Sequence, residues 1–85
     1  MTLKIEKHWD GYRTSLRLIG RMQGEHLEDL EKEVRESGPA ITLDLEELTL
    51  VDVEAVRFLG SCEVAGVTLL NCSPYIRDWI GKERE

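Results

Sequence analysis

Long apolar runs are what this chain most lacks. No stretch approaches the roughly 20 residues needed to cross a bilayer, and the N-terminus, running from Met1 through Lys4, Glu6 and Lys7, has no uninterrupted apolar core of the secretory kind. A cytoplasmic location with no membrane attachment is therefore expected. Cysteine is nearly absent: Cys62 and Cys72 are too few for a disulfide framework and too far apart for a CxxC motif, so both read as small apolar core residues. Histidine is limited to His8 and His26, with no metal-ligand spacing around them, and both read as solvated side chains. Positive charge is in deficit, with 11 Lys and Arg against 17 Asp and Glu. The resulting net charge of −6 argues against generic nucleic-acid binding, because a polyanion is repelled by the average field.

Nucleotide and nucleophile signatures are missing too. There is no Walker motif, GxGxxG or GxSxG, so no cofactor and no catalysis are expected. What remains is 85 residues, 41% hydrophobic and 33% charged, the composition of one soluble globular domain spanning residues 1–85. Basic residues concentrate early, at Lys4, Lys7, Arg13, Arg17 and Arg21, while the rest of the chain carries nearly all the acid.

Leu3 to His8 and Arg13 to Ile19 alternate apolar with polar residues around Trp9-Asp10-Gly11-Tyr12, which predicts a β-hairpin closed by a tight Asp-Gly turn. Leu16 and Leu18 fall on one face, with Arg13, Ser15 and Arg17 on the other. From Gly24 to Ser37 the apolar positions Leu27, Leu30 and Val34 keep helical spacing in an acidic background, and Gly38-Pro39 supplies a stop. Ile41, Leu43 and Leu45, then Leu48, Leu50 and Val51, predict a central strand. Asp52 suits the N-cap of a helix whose packed face includes Val53, Val56 and Leu59. Beyond Ala65-Gly66, Val67 to Leu70 predicts a buried strand, and Ser73-Pro74 opens a last helix with Ile76, Trp79 and Ile80 inward. Gly81 to Glu85 is polar and expected to fray. The predicted fold is α/β, a four-stranded mixed sheet with about three helices, in the order β-β-α-β-α-β-α.

Three segments resemble one known family. Ile41 to Leu59, an apolar strand, an acidic loop and then Asp52 opening a helix, resembles the signature of the STAS domain of anti-sigma factor antagonists. Gly66-Val67-Thr68-Leu69-Leu70-Asn71-Cys72-Ser73-Pro74 is similar to that family's last strand and final helix start, and Gly20 to Gly24 before an acidic helix is a weaker match. The match runs from about Leu3 to Ile80. It departs in two places: the stretch from Asp52 to Gly66 is several residues briefer than usual, and Val53-Glu54-Ala55 stands where the family has Ser-Ser-Gly. Val53 occupies the place of the phosphorylated serine, and a valine cannot accept a phosphoryl group.

The resemblance implies a non-catalytic protein-binding module whose partner is an anti-sigma factor or related regulator, with no phospho-switching at the usual site. The implied docking surface is Asp52, Val53, Glu54, Val56 and Arg57. Glu54 reads either as a fixed charge imitating one state of the switch or as an acid favoured by the helix dipole. An alternative is a small-ligand or nucleotide sensor using Asp44, Asp52 and Asn71 at strand ends. Trp9 and Tyr12, beside the hairpin turn, read equally as a partner contact or as packing across the hairpin. Homodimerisation through a sheet edge or the hairpin is open as well.

Overall fold

The computed structural model describes residues 3–37 and 40–84; the helix stop expected at Gly38-Pro39 lies outside them, as does the last residue of the tail. Strands β1 (Leu3–Trp9) and β2 (Thr14–Met22) form the antiparallel hairpin, with Leu3 opposite Gly20 and Trp9 opposite Thr14. Asp-Gly does not make a two-residue turn. Residues Asp10 to Arg13 form a longer loop in which Asp10 Oδ1 accepts from the N–H groups of Tyr12 and Arg13, each at 2.9 Å, an Asx arrangement that replaces the primed turn.

A 3-10 turn at Gly24–His26 leads into α1 (Leu27–Ser37), so the helix expected from Gly24 begins as a tighter coil. His26 is half-buried and capping, where solvation was expected: its Nδ1 accepts from the Gln23 N–H at 3.1 Å. Two strands then stand where one was predicted, β3 (Ile41–Asp44) and β4 (Leu48–Val51). The break is local chemistry. Asp44 Oδ1 accepts the Glu46 N–H at 3.0 Å and Leu45 O accepts the Leu48 N–H at 3.1 Å, closing a turn through Glu46 and Glu47.

Both new strands pair in parallel with the long β2, β3 along Thr14–Arg17 and β4 along Gly20–Met22. Gly20, at φ +99°, sits at the changeover, where the register slips by one residue around Thr49. A side chain at that φ would be strained, and the extra residue of the bulge, Thr49, lies on β4. α2 (Val53–Val64) follows, closed by Gly66 at φ +99°, with Gly66 N donating to Glu63 O and Val67 N to Cys62 O in a Schellman cap. β5 (Thr68–Leu70) pairs parallel with β3, and α3 (Pro74–Glu83) completes the domain.

The sheet is mixed and five-stranded, in the order β1-β2-β3-β5, with β4 beside the second half of β2. The predicted buried strand at Val67 to Leu70 is instead an edge strand, with Thr68 and Leu70 exposed. One sheet face carries the core: Leu16, Leu18 and Leu43 meet Leu30 of α1, Val56 and Leu59 of α2, and Ile76 and Ile80 of α3, all essentially inaccessible to water. Truncating any of these leucines to alanine costs about 2–5 kcal/mol, against a total of roughly 4–13 kcal/mol for a domain this size. Trp79 is only partly buried at the core margin, 5.8 Å from the exposed ring of Tyr75. The other face is open and polar, carrying Ser15, Arg17, Asp44 and Thr68.

Candidate functional site

Asp52 organises the region that the sequence singled out. Its φ of −106° and ψ of 179° are those of an N-cap, and Oδ1 accepts the Ala55 N–H at 2.9 Å, satisfying a donor at the start of α2 that the helix leaves unpaired. The second oxygen reaches outside the helix. Oδ2 accepts the Gly24 N–H at 2.9 Å, fastening the loop after β2 to the start of α2. The Ala55 N–H, followed by that of Gly24, holds the Asp52 carboxyl below its ordinary pKa, so it is ionised near neutrality.

The other residues of the implied surface divide. Val53, Glu54 and Arg57 are exposed on the first turns of α2. Val56 is fully buried and belongs to the core, so it offers a docked partner almost no surface. The packed face of α2 is accordingly Ala55, Val56, Leu59 and Cys62, with Ala55 taking the inward place expected for Val53. Glu54 folds back over Gly24, its carboxylate occupying the space a side chain there would need. A side chain at 24 would displace the end of that exposed Glu54 side chain.

Arg57 is tied to the last helix, its Nε donating to Glu83 Oε1 at 2.8 Å. Between α2 and α3 lies a groove of about 350 Å³, floored by Val56, Gly60 and Ile80 and rimmed by Arg57, Glu83 and Arg84. Arg84 also approaches Glu63, at 3.5 Å, and Arg77 Nη1 donates to both oxygens of Glu63, at 2.7 and 2.9 Å. The segment expected to fray is therefore helical through Glu83 and anchored by charge. Sequence reasoning missed Glu83 and Arg84; the available signal was the helical spacing continuing from Ile76 and Ile80.

Of the alternative trio, the structure joins two. Asn71, at φ 55°, donates from Nδ2 to Asp44 Oδ1 at 3.1 Å, at the ends of the paired strands β3 and β5. That amide, then the Glu46 N–H and the Arg17 charge, lower the pKa of Asp44. Arg17 Nε lies 3.3 Å from Glu47 and 4.0 Å from Asp44, an ion-pair geometry without an aligned hydrogen bond. Asp52 belongs to the other cluster, with both oxygens engaged there. Among the described residues no three His, Cys, Asp or Glu side chains are grouped to hold a metal ion, and no helix is long and apolar enough to cross a membrane.

Trp9 and Tyr12 are exposed, at 61% and 88%. Cys62 is buried, which together with Glu31 pushes its thiol pKa up to about 11; Cys72 is half-buried and also raised, chiefly by desolvation. Neither is an activated nucleophile.

Comparison with known proteins locates this geometry. No family model and no curated protein matches the chain. Among solved structures, an antisigma-factor antagonist STAS domain from Rhodobacter sphaeroides superposes with a TM-score of 0.65 at 15% identity, over 82% of this chain and 87% of that one. The anti-sigma factor antagonist SpoIIAA in its unphosphorylated form gives 0.68 at 18% identity, over 89% of this chain and 78% of that one. At such identities the likeness establishes the fold. The chain has the fold of STAS domains.

Proposed function

We propose that this chain is a non-catalytic regulatory module that acts in the cytoplasm by docking a protein partner, an anti-sigma factor or related regulator, on the start of α2. The observation that carries this reading is the state of that turn. Asp52 fixes its backbone from two directions, while Val53, Glu54 and Arg57 remain exposed on it. A rigid scaffold presenting an exposed apolar residue beside two charged ones is suited to recognition, since little ordering entropy is lost on binding. The structural likeness to two anti-sigma factor antagonists supports the choice of partner class.

Regulation by phosphorylation at the helix start is not part of the proposal, because Val53 has no hydroxyl. Glu54 gives the surface a fixed negative charge in place of a switchable one. Calorimetric titration with purified anti-sigma factors from the same genome tests the reading. Val53→Asp should weaken binding at least tenfold with the fold intact, whereas unchanged affinity would remove this turn from the interface.

A ligand-sensing role at Asp44 and Asn71 is the second reading, favoured by one observation, the preformed Asp44, Asn71 and Arg17 cluster at the strand ends. A thermal-shift screen with nucleotides and divalent cations separates the two. A ligand present at 100 times its Kd adds about 2.7 kcal/mol of stability, so an unmoved melting curve at millimolar ligand would dismiss it.

A further inference from the structure

β1 ends the strand order, and the edge it turns away from β2 has no neighbouring strand among the described residues. It is seven residues long, pairs with β2 in unbroken register, and exposes every residue from Lys4 to Trp9 except the half-buried Ile5. Such an edge is a template for another strand, and monomeric proteins blunt it with bulges, prolines, exposed lysines or inward-pointing charges. β1 has no bulge and no proline, and its two lysines, Lys7 being on the helix-covered face opposite Leu16, are each paired with an acid. Lys4 Nζ lies 3.4 Å from Glu6 Oε2 on the open sheet face, and Lys7 Nζ lies 3.8 Å from Glu33 Oε2 on α1.

We propose that β1 pairs antiparallel with β1 of a second copy, about a two-fold axis normal to the sheet and passing at Ile5. The choice of occupant and register comes from charge. Residues opposite one another across an antiparallel pair share a face, so with this axis the centre of pairing falls on a residue and never between two. Centring on Lys4, Glu6 or Lys7 sets identical charges against each other, which destabilises a sheet. Centring on Ile5 sets Lys4 of each copy opposite Glu6 of the other, on the open face. The existing Lys4 and Glu6 pairs then merge into an alternating quartet of charges.

On the helix-covered face the same register brings the two Ile5 side chains together, where each already packs against the core margin. The axis keeps both helix layers on one side of a continuous sheet. β2 separates β1 from β3 and β4, so the start of α2, adjoining β4, stays clear of the new seam in both copies. The dimer presents that surface twice, and the inference holds whether or not a partner docks there.

Light scattering coupled to size exclusion, from micromolar to millimolar protein, tests the proposal. The mass should rise from 9.8 kDa toward twice that value. Lys4→Glu and Glu6→Lys should each weaken dimerisation about tenfold or more, because each replaces two opposite-charge contacts by two like-charge ones. The combined Lys4→Glu/Glu6→Lys variant restores the quartet with its signs exchanged and should dimerise like the wild type. Both side chains are well exposed, so neither change disturbs the core. A mass fixed at 9.8 kDa up to millimolar concentration, a dimer indifferent to Lys4→Glu, or a double variant that stays monomeric would each overturn the proposal. Hydrogen exchange on the wild type gives a second reading: protection of β1 amides should increase with concentration, and concentration-independent exchange would contradict the pairing.

Discussion

Replacing Asp52 by alanine removes two hydrogen bonds that do different things. Oδ1 caps α2 through the Ala55 N–H, and loss of an N-cap carboxylate typically costs about 1 kcal/mol, within a range of about 0.5–2. Oδ2 holds the half-buried Gly24 N–H, and a hydrogen bond of this kind contributes about 1 kcal/mol. Together the two give a destabilisation of about 2 kcal/mol out of roughly 4–13. For a domain this small each kcal/mol moves the melting temperature by about 4–8 °C, so Asp52→Ala should lower it by about 8–16 °C. Circular dichroism at neutral pH, by heating and by urea, reads this directly. Asp52→Asn keeps one acceptor oxygen and should recover about half the loss.

The pH dependence sharpens the same prediction. Because the folded-state pKa of Asp52 lies below its unfolded value, its contribution is fully present above the unfolded pKa of about 3.9 and disappears as pH falls through the lower, folded value. The stability difference between wild type and Asp52→Asn should therefore shrink on acidification below about pH 4. An Asp52→Ala protein within about 0.5 kcal/mol of wild type at neutral pH would refute the two-bond reasoning.

Three further outcomes follow from burial and charge. Val56→Asp puts a carboxylate into the core and should cost about 3 kcal/mol or more, whereas Val53→Asp at the exposed neighbouring turn should change stability by less than about 0.5 kcal/mol; denaturant melts of the pair compare the two positions. Cys62, with its thiol pushed up to about 11, should resist iodoacetamide at pH 8 in the native protein and react fully in urea, as mass spectrometry would count. Glu63→Gln loses the Arg77 and Arg84 contacts, which are partly solvated, and should cost no more than about 1 kcal/mol at low salt, less at high salt, by urea titration.

Much of the fold was legible because local chemistry and tertiary packing agree. Asp52 and Ser73-Pro74 begin helices where their capping oxygens predict, with Ser73 Oγ accepting the Ile76 N–H at 3.3 Å, and Gly66 ends α2 through its positive φ. The split between β3 and β4 was missed although the alternation breaks there: Leu45 follows Leu43 by two residues but Leu48 follows Leu45 by three, the extra residue lying in the Glu46-Glu47 turn that the Asp44 carboxylate sets. Strand position was hidden. An apolar run such as Val67 to Leu70 looks the same at the centre of a sheet and at its edge, and only the pairing with β3 on one side tells them apart.

At the candidate site, helical spacing placed Val53 and Val56 on one face, but the buried face centres on Ala55, Leu59 and Cys62, so Val56 lies just inside its border and Val53 outside it. The bond from Asp52 to Gly24 spans 28 positions in the chain, and no local pattern announces it. Glu83 and Arg84 escaped notice for a related reason: polar residues at a chain end suggest fraying until their ion pairs with Arg57 and Glu63 are seen.

Docking at the start of α2 is tested most directly by amide chemical-shift mapping on addition of a purified anti-sigma factor from the same genome. Shifts should cluster on residues 23–26 and 53–57, where Asp52 joins the two segments. Perturbations confined to Arg17, Asp44 and Asn71 on the open sheet face, with residues 53–57 unmoved, would contradict it.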